Sequence, residues 1–158
     1  MPQPAERNTL VALIPLYVTT FVLQGGGDDV DENYRRMSAR GGGGDFVVLR
    51  ATGDDDYQAY IYGLCHCDSV ETLIVDSRAA AFDPYVVETV RNAEALFIAG
   101  GDQANYVRYW KGTLLEDAIH FVAAQPAPIG GPSAGKASLG ECYYPALTPA
   151  SLTRPTAH

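Results

Sequence analysis

Ala95-Leu96-Phe97-Ile98-Ala99-Gly100-Gly101-Asp102-Gln103 is the stretch on which the fold turns. Five apolar residues in a row, with no polar face, suit a short strand buried on both sides. The Gly-Gly-Asp that follows breaks the run at a tight corner. Upstream, Asp83-Pro84 supplies an N-cap and a proline at the first helical position, which predicts a helix over 84–92. Helix, buried strand, glycine corner is the unit from which parallel α/β sheets are built.

The same theme recurs along the chain. Tyr17–Leu23, Phe46–Leu49, Thr72–Val75 and Pro128–Gly130 are further short apolar runs suited to strands buried on both faces. Helices are predicted near Asp31–Ala39, Tyr57–Leu64 and Thr113–Ala124. The expected fold is α/β, a mainly parallel sheet sandwiched by helices that right-handed crossovers place on both faces. Neither a repeat nor an internal linker is visible, so residues 1–158 read as one domain, with 142–158, rich in Pro and Thr, as an irregular tail. Tyr57, Tyr60 and Tyr62, and again Tyr106, Tyr109 and Trp110, fall at helical spacing and are expected in the core rather than on a stacking platform.

The 158 residues are of ordinary globular composition, and the formal charge of −8 removes two partner classes. Nucleic acid and anionic membranes both require a basic face, so neither is expected. A small-molecule or peptide substrate fits better, and a cationic one or a hard cation suits the field. Three cysteines (Cys65, Cys67, Cys142) cannot all pair, and Cys65 and Cys67 are too close for an ordinary bridge. A reducing, cytoplasmic compartment follows. Export stays open, because Arg7 and the apolar stretch Leu10 to Leu23 mimic a signal peptide. That stretch lacks a small-residue cleavage pattern, and its 14 residues are too few to span a bilayer. Its second half reads as the strand Tyr17–Leu23.

In parallel sheets chemistry gathers beyond the carboxyl ends of the strands. Three glycine corners follow predicted strands there: Gly25-Gly26-Gly27-Asp28-Asp29, Gly100-Gly101-Asp102-Gln103 and Gly130-Gly131-Pro132-Ser133-Ala134-Gly135. The fourth glycine run, Gly41 to Gly44, precedes a strand and reads as a plain loop at the opposite end. Strand, Gly-Gly-Pro, Ser, Ala-Gly, helix is the layout of a nucleophile elbow, in which small neighbours let a strained turn form. Ser133 would then project at a helix N-terminus, with the Ala134 N–H as one oxyanion donor and Gly101 supplying a second. The plainer alternative is a helix-capping serine.

These motifs resemble the cyanophycinase-like branch of the serine peptidases (peptidase family S51). The resemblance rests on Gln24-Gly25-Gly26-Gly27, on Leu96 to Gln103 and on Gly130 to Gly135, is extended by Asn105 to Thr113, and spans residues 17–141. It implies a class I glutamine-amidotransferase-like, flavodoxin-like fold and hydrolysis of peptide or isopeptide bonds next to aspartate, with no cofactor required. Carried over, it implies Ser133 as nucleophile, Ala134 and Gly101 as oxyanion hole, and Gln103 as a substrate contact, with Asp102, Gly26 and Gly27 alongside on the same rim.

The chain departs from that pattern in two ways. The family's catalytic His lies well downstream of the nucleophile, whereas the only His beyond Ser133 is His158, the last residue. His66 and His120 are expected away from the rim. Lys136, one turn into the helix, is the other candidate base, in a Ser-Lys arrangement. Pro132 stands where the family has a small polar residue, and it removes one N–H donor. The chain accordingly reads as the N-terminal portion of such a hydrolase, short at the C-terminus, with an exposed apolar sheet edge that self-association as a homo-oligomer would cover.

Asp28, Asp29 and Asp31 form an acidic cluster on a flexible turn, a candidate for Ca²⁺ although no EF-hand spacing is present; Asp54-Asp55-Asp56 form another. Capping of the following helices is the plainer role. Three functions therefore compete: a serine acyl hydrolase, with a weak base favouring esters or lactones over peptides; a catalytically incomplete remnant acting as a binding protein; and a Ca²⁺-dependent hydrolase using metal-bound water.

Overall fold

A computed structural model describes residues 19–140. They form one five-stranded, wholly parallel sheet in the order β1-β5-β4-β2-β3. The strands are β1 (Phe21–Leu23), β2 (Asp45–Arg50), β3 (Ser69–Ile74), β4 (Ala95–Ile98) and β5 (Ile129–Gly131). Between and after them run α1 (Asp31–Arg40), α2 (Asp56–Leu64), α3 (Pro84–Arg91), α4 (Gln103–Trp110), α5 (Leu114–Ala123) and the short α6 (Ser133–Ser138). This is a flavodoxin-like α/β fold. Every predicted strand and helix within the described residues appears within a few residues of its expected bounds. Of the strand expected over 17–23, residues 17 and 18 lie outside the described residues, as does the tail 142–158.

The sheet separates two cores. Tyr34 and Met37 of α1 and Ile61 of α2 pack with Phe46, Val48 and Phe97 on one face. Val90, Trp110, Leu115 and Val122 of α3, α4 and α5 pack with Leu49, Leu96 and Ile98 on the other. Because β4 and β2 are central, all four β4 residues are buried and the run 46–49 of β2 is almost solvent-free. The helices begin as their sequences dictate. Asp83 accepts a hydrogen bond from the Tyr85 N–H at 2.8 Å and Thr113 caps α5 through the Glu116 N–H.

Two expectations need correction. β1 is not buried on both faces: among the described residues it is an edge strand paired only with β5, and Phe21 and Leu23 stay 50% and 57% exposed while Val22 between them faces the α1 core. Nor are Tyr60 and Tyr62 core residues. They lie exposed on the outer side of α2, whereas Tyr106 and Trp110 are buried as expected. No helix among the described residues is long and apolar enough to cross a membrane.

From β2 the chain steps outward to β3, and from β4 it steps the other way to β5. The topology therefore reverses between β2 and β4, and ligands of such sheets bind beyond the carboxyl ends at that point. β5, which leads into Ser133, is the next strand along.

Candidate functional site

Ser133 stands at the sharp corner between β5 and α6 and is the one non-glycine among the described residues with positive φ, at 43°. A left-handed serine costs about 1–2 kcal/mol, and such strain persists where the surroundings over-determine it. Here the surroundings are three backbones in close approach. Pro132 is extended (φ −93°, ψ 168°), and its carbonyl accepts the Lys136 N–H at 3.1 Å, which closes the first turn of α6 behind the serine. Gly131 and Gly135 are squeezed against the Ile98 carbonyl of β4, with no room for a side chain at either. Pro132 thus supplies an acceptor to the turn, and the N–H it lacks is not missed there.

The Ser133 side chain is exposed and does not cap its own helix. Gly100 and Gly26 converge on it: a Cβ at Gly100 would lie 3.7 Å from the Ser133 Cβ, and one at Gly26 4.0 Å from its Oγ. The structure thus brings the three expected corners together on one rim. Within the described residues, neither the Ala134 nor the Gly101 N–H finds a backbone acceptor. Ala134 follows Ser133 directly, and Gly101 follows Gly100, which approaches the serine.

Other expected site residues fall differently. Asp102 is the N-cap of α4, its carboxylate accepting the Ala104 N–H at 2.8 Å, and Gln103 is the first residue of that helix and half-buried. Gly27 is exposed with open space around it. Lys136 is exposed one turn into α6. His158 lies outside the described residues. His66 precedes β3 and His120 ends α5, which precedes β5, so both lie at the opposite end of the sheet from Ser133.

Asp28, Asp29 and Asp31 do not converge on a point. Asp29 accepts from the Tyr57 hydroxyl at 3.1 Å, and Asp31 accepts from the Tyr60 hydroxyl and pairs with Arg35 at 3.6 Å. Among the described residues no three His, Cys, Asp or Glu side chains are grouped to hold a metal ion. Hydroxyl donors and a guanidinium satisfy the carboxylates instead.

Sequence reasoning missed the roles of five residues: Arg50, Tyr34, Tyr60, Gln24 and Tyr106. Arg50, at the end of β2, pairs with Asp54 at 3.0 Å, lies over the Tyr57 ring and lines an open cleft of about 450 Å³ with Asp29, Asp56 and Tyr60. Burial pushes the Tyr34 phenol well above its ordinary range, and the Asp29 carboxylate adds to this. The Tyr60 phenol rises to about 12, chiefly through its hydrogen bond to Asp31. Gln24, beside Gly131 at the end of β1, is buried with both amide atoms unpartnered among the described residues. Tyr106 lies under the Gly100-Gly101 corner, its hydroxyl 2.6 Å from the Ala99 carbonyl oxygen and 3.0 Å from that of Gly100. Gln24 and Tyr106 could have been sought from their places beside the corners at 25–27 and 100–101, whereas no local signal marks Arg50 or Tyr34.

No family model and no curated protein matches the chain. Among solved structures it is similar to a peptidase from an acI-B1 actinobacterium, with a TM-score of 0.61 at 19% identity, over 75% of this chain and 55% of that one. The likeness is one of fold, and this chain spans about half the length of that peptidase.

Proposed function

We propose that the protein is a serine hydrolase of acyl bonds, of the cyanophycinase-like kind that its motifs resemble. One observation carries the reading: an exposed serine held in the left-handed region at a strand-to-helix corner on which Gly26 and Gly100 converge. Strain of this kind at a solvent-facing hydroxyl serves projection of a nucleophile better than packing. The peptidase fold of the structural neighbour is in keeping with it.

In this mechanism the Ser133 Oγ attacks the acyl carbon and its proton passes to a base. The carbonyl oxygen becomes an oxyanion held by the Ala134 and Gly101 N–H groups. The leaving group departs with a proton, and water then cleaves the acyl-enzyme. Lys136 and His158 are the candidate bases, with Gln103 and Gly26 against the substrate. A base that is weak or badly placed favours substrates whose leaving group needs no protonation, so activated esters or lactones should turn over faster than amides. A small molecule or peptide is the substrate class.

The test is labelling by a fluorophosphonate probe with the modified residue located by mass spectrometry, together with hydrolysis of p-nitrophenyl acetate. Label on Ser133, and loss of both label and turnover in a folded Ser133→Ala variant, is the expected result. Turnover unchanged in Ser133→Ala rejects the mechanism. A second reading, a binding protein without a complete catalytic set, is favoured by the position of His66 and His120 at the far end of the sheet. It predicts no label on the wild type.

A further inference from the structure

Tyr106 belongs to no part of the chemistry just described, yet its hydroxyl reaches the two carbonyls that precede the proposed oxyanion donor. A peptide unit is planar and trans, so fixing the direction of a C=O fixes the following N–H on the opposite side. No described peptide bond is cis. The Gly100 carbonyl belongs to the same peptide unit as the Gly101 N–H. The hydroxyl's one proton goes chiefly to the nearer Ala99 carbonyl, and with the Gly100 oxygen held beside it at 3.0 Å the Gly101 N–H points away from the tyrosine.

We infer that Tyr106 is a positioning residue that locks the Gly100–Gly101 peptide in the orientation competent to stabilise an oxyanion. The inference rests on the hydrolase reading and adds to it the device that sets the second donor. Glycine peptides flip readily, because neither flanking residue has a Cβ to resist rotation. Gly101 sits at φ 150°, where only glycine is at ease, and a Cβ there would come 3.3 Å from the Tyr106 hydroxyl oxygen. The corner is therefore free to turn except for what holds its carbonyls.

What holds the tyrosine is rigid. Its ring stacks on Trp110 at 4.3 Å between centroids and 14° between planes, and the Trp110 indole N–H donates to the Val75 carbonyl at 2.8 Å. The phenol is buried, which pushes its pKa up to about 12, with Arg50 opposing and Tyr57 and Asp102 adding to the rise. It therefore remains a donor throughout the range in which a hydrolase works.

The experiment compares Tyr106→Phe with Tyr85→Phe, using p-nitrophenyl acetate and the fluorophosphonate probe. Each variant removes one tyrosine hydroxyl, but that of Tyr85 donates to Glu71 on the remote edge strand β3, so only the first releases the corner. Removal of an oxyanion donor costs about 10²–10³ in rate. Tyr106→Phe, which frees the donor without deleting it, is expected to lower kcat about 10–100-fold at unchanged KM. Tyr85→Phe, which leaves the corner and its supports untouched, is expected to change kcat less than about threefold. Equal kcat in Tyr106→Phe and wild type, or equal losses in the two variants, overturns the inference. A second readout needs no variant: in nitrogen-labelled wild type, the Gly101 amide proton is expected to move downfield when Ser133 is phosphonylated. An unmoved Gly101 resonance overturns the inference even if Tyr106→Phe fails to fold. Failure of the probe to label wild-type Ser133 is a separate result, which rejects the hydrolase reading and this one with it.

Discussion

Two glycines in helices, changed identically, should move stability in opposite directions. In an unobstructed helix position Gly→Ala stabilises by about 0.5–1 kcal/mol, because alanine restricts the unfolded chain and favours helix. Gly63, in the last turn of α2, has nothing within 4 Å of the position its Cβ would take. Gly63→Ala is therefore expected to gain about 0.5 kcal/mol. Gly135, in the first turn of α6, is the reverse case. A Cβ there would collide with the Ile98 carbonyl oxygen, 2.7 Å from the Ile98 carbonyl carbon and 2.8 Å from the Ala99 carbonyl oxygen.

All three obstructing atoms are backbone of β4 or its immediate continuation, in the middle of the sheet, so no side chain can swing aside. Relief requires α6 to move off the strand, which strains the Ser133 corner and opens the packing of Ala134 in the core. Overpacking of this kind costs about 1–3 kcal/mol or somewhat more. After the propensity gain is subtracted, Gly135→Ala should lose about 2 kcal/mol. With a urea m-value of about 1–3 kcal/mol/M, the unfolding midpoint should fall by roughly 1 M while that of Gly63→Ala rises slightly. Urea titration followed by circular dichroism measures both. A Gly135→Ala variant as stable as the wild type would refute the close seating of α6 on β4, and with it the elbow geometry.

Three other outcomes follow from the same coordinates. Ser133→Gly should relieve the left-handed strain and raise stability by about 1 kcal/mol, whereas Ser133→Ala keeps the strain; both should abolish turnover, and equal thermal midpoints for the two would contradict the backbone assignment. On alkaline titration, the Tyr106 phenol keeps its proton to about pH 12 when folded but titrates near about 10 in the unfolded chain. Its contribution is thus complete below about pH 10 and lost as pH rises toward about 12. Denaturation midpoints measured from pH 9 upward should fall less steeply in Tyr106→Phe, and parallel curves would contradict the burial of that hydroxyl. Finally, Phe21 and Leu23 on the open edge of β1 should drive self-association, so light scattering at micromolar concentration should give more than a monomer mass, reduced by Phe21→Lys; a monomeric wild type would reject that role for the edge.

Much of the fold was legible because its signals are local. Apolar runs such as 46–49 and 95–98 admit no polar face, and glycine corners or caps such as Asp83-Pro84 mark where elements stop and start, so element type follows from neighbours in sequence. What was not legible depends on neighbours in space. Nothing within Tyr17–Leu23 distinguishes an edge from a centre, since both need β propensity, and only pairing with β5 alone leaves Phe21 and Leu23 uncovered. The site divides the same way. Ser133 could be picked out because a left-handed corner tolerates only small residues around it, and that demand is written into Gly130 to Gly135. Tyr106 lies only six or seven residues from the carbonyls it meets, yet its aim depends on the stack with Trp110, and Trp110 is anchored by Val75 on a different strand connection. The proposed nucleophile is fixed by local sterics and the proposed second oxyanion donor by a tertiary chain of contacts. For that reason the two are separable in experiment: a variant of the chain Val75–Trp110–Tyr106 can alter how the transition state is held while Ser133 and its strained turn remain in place.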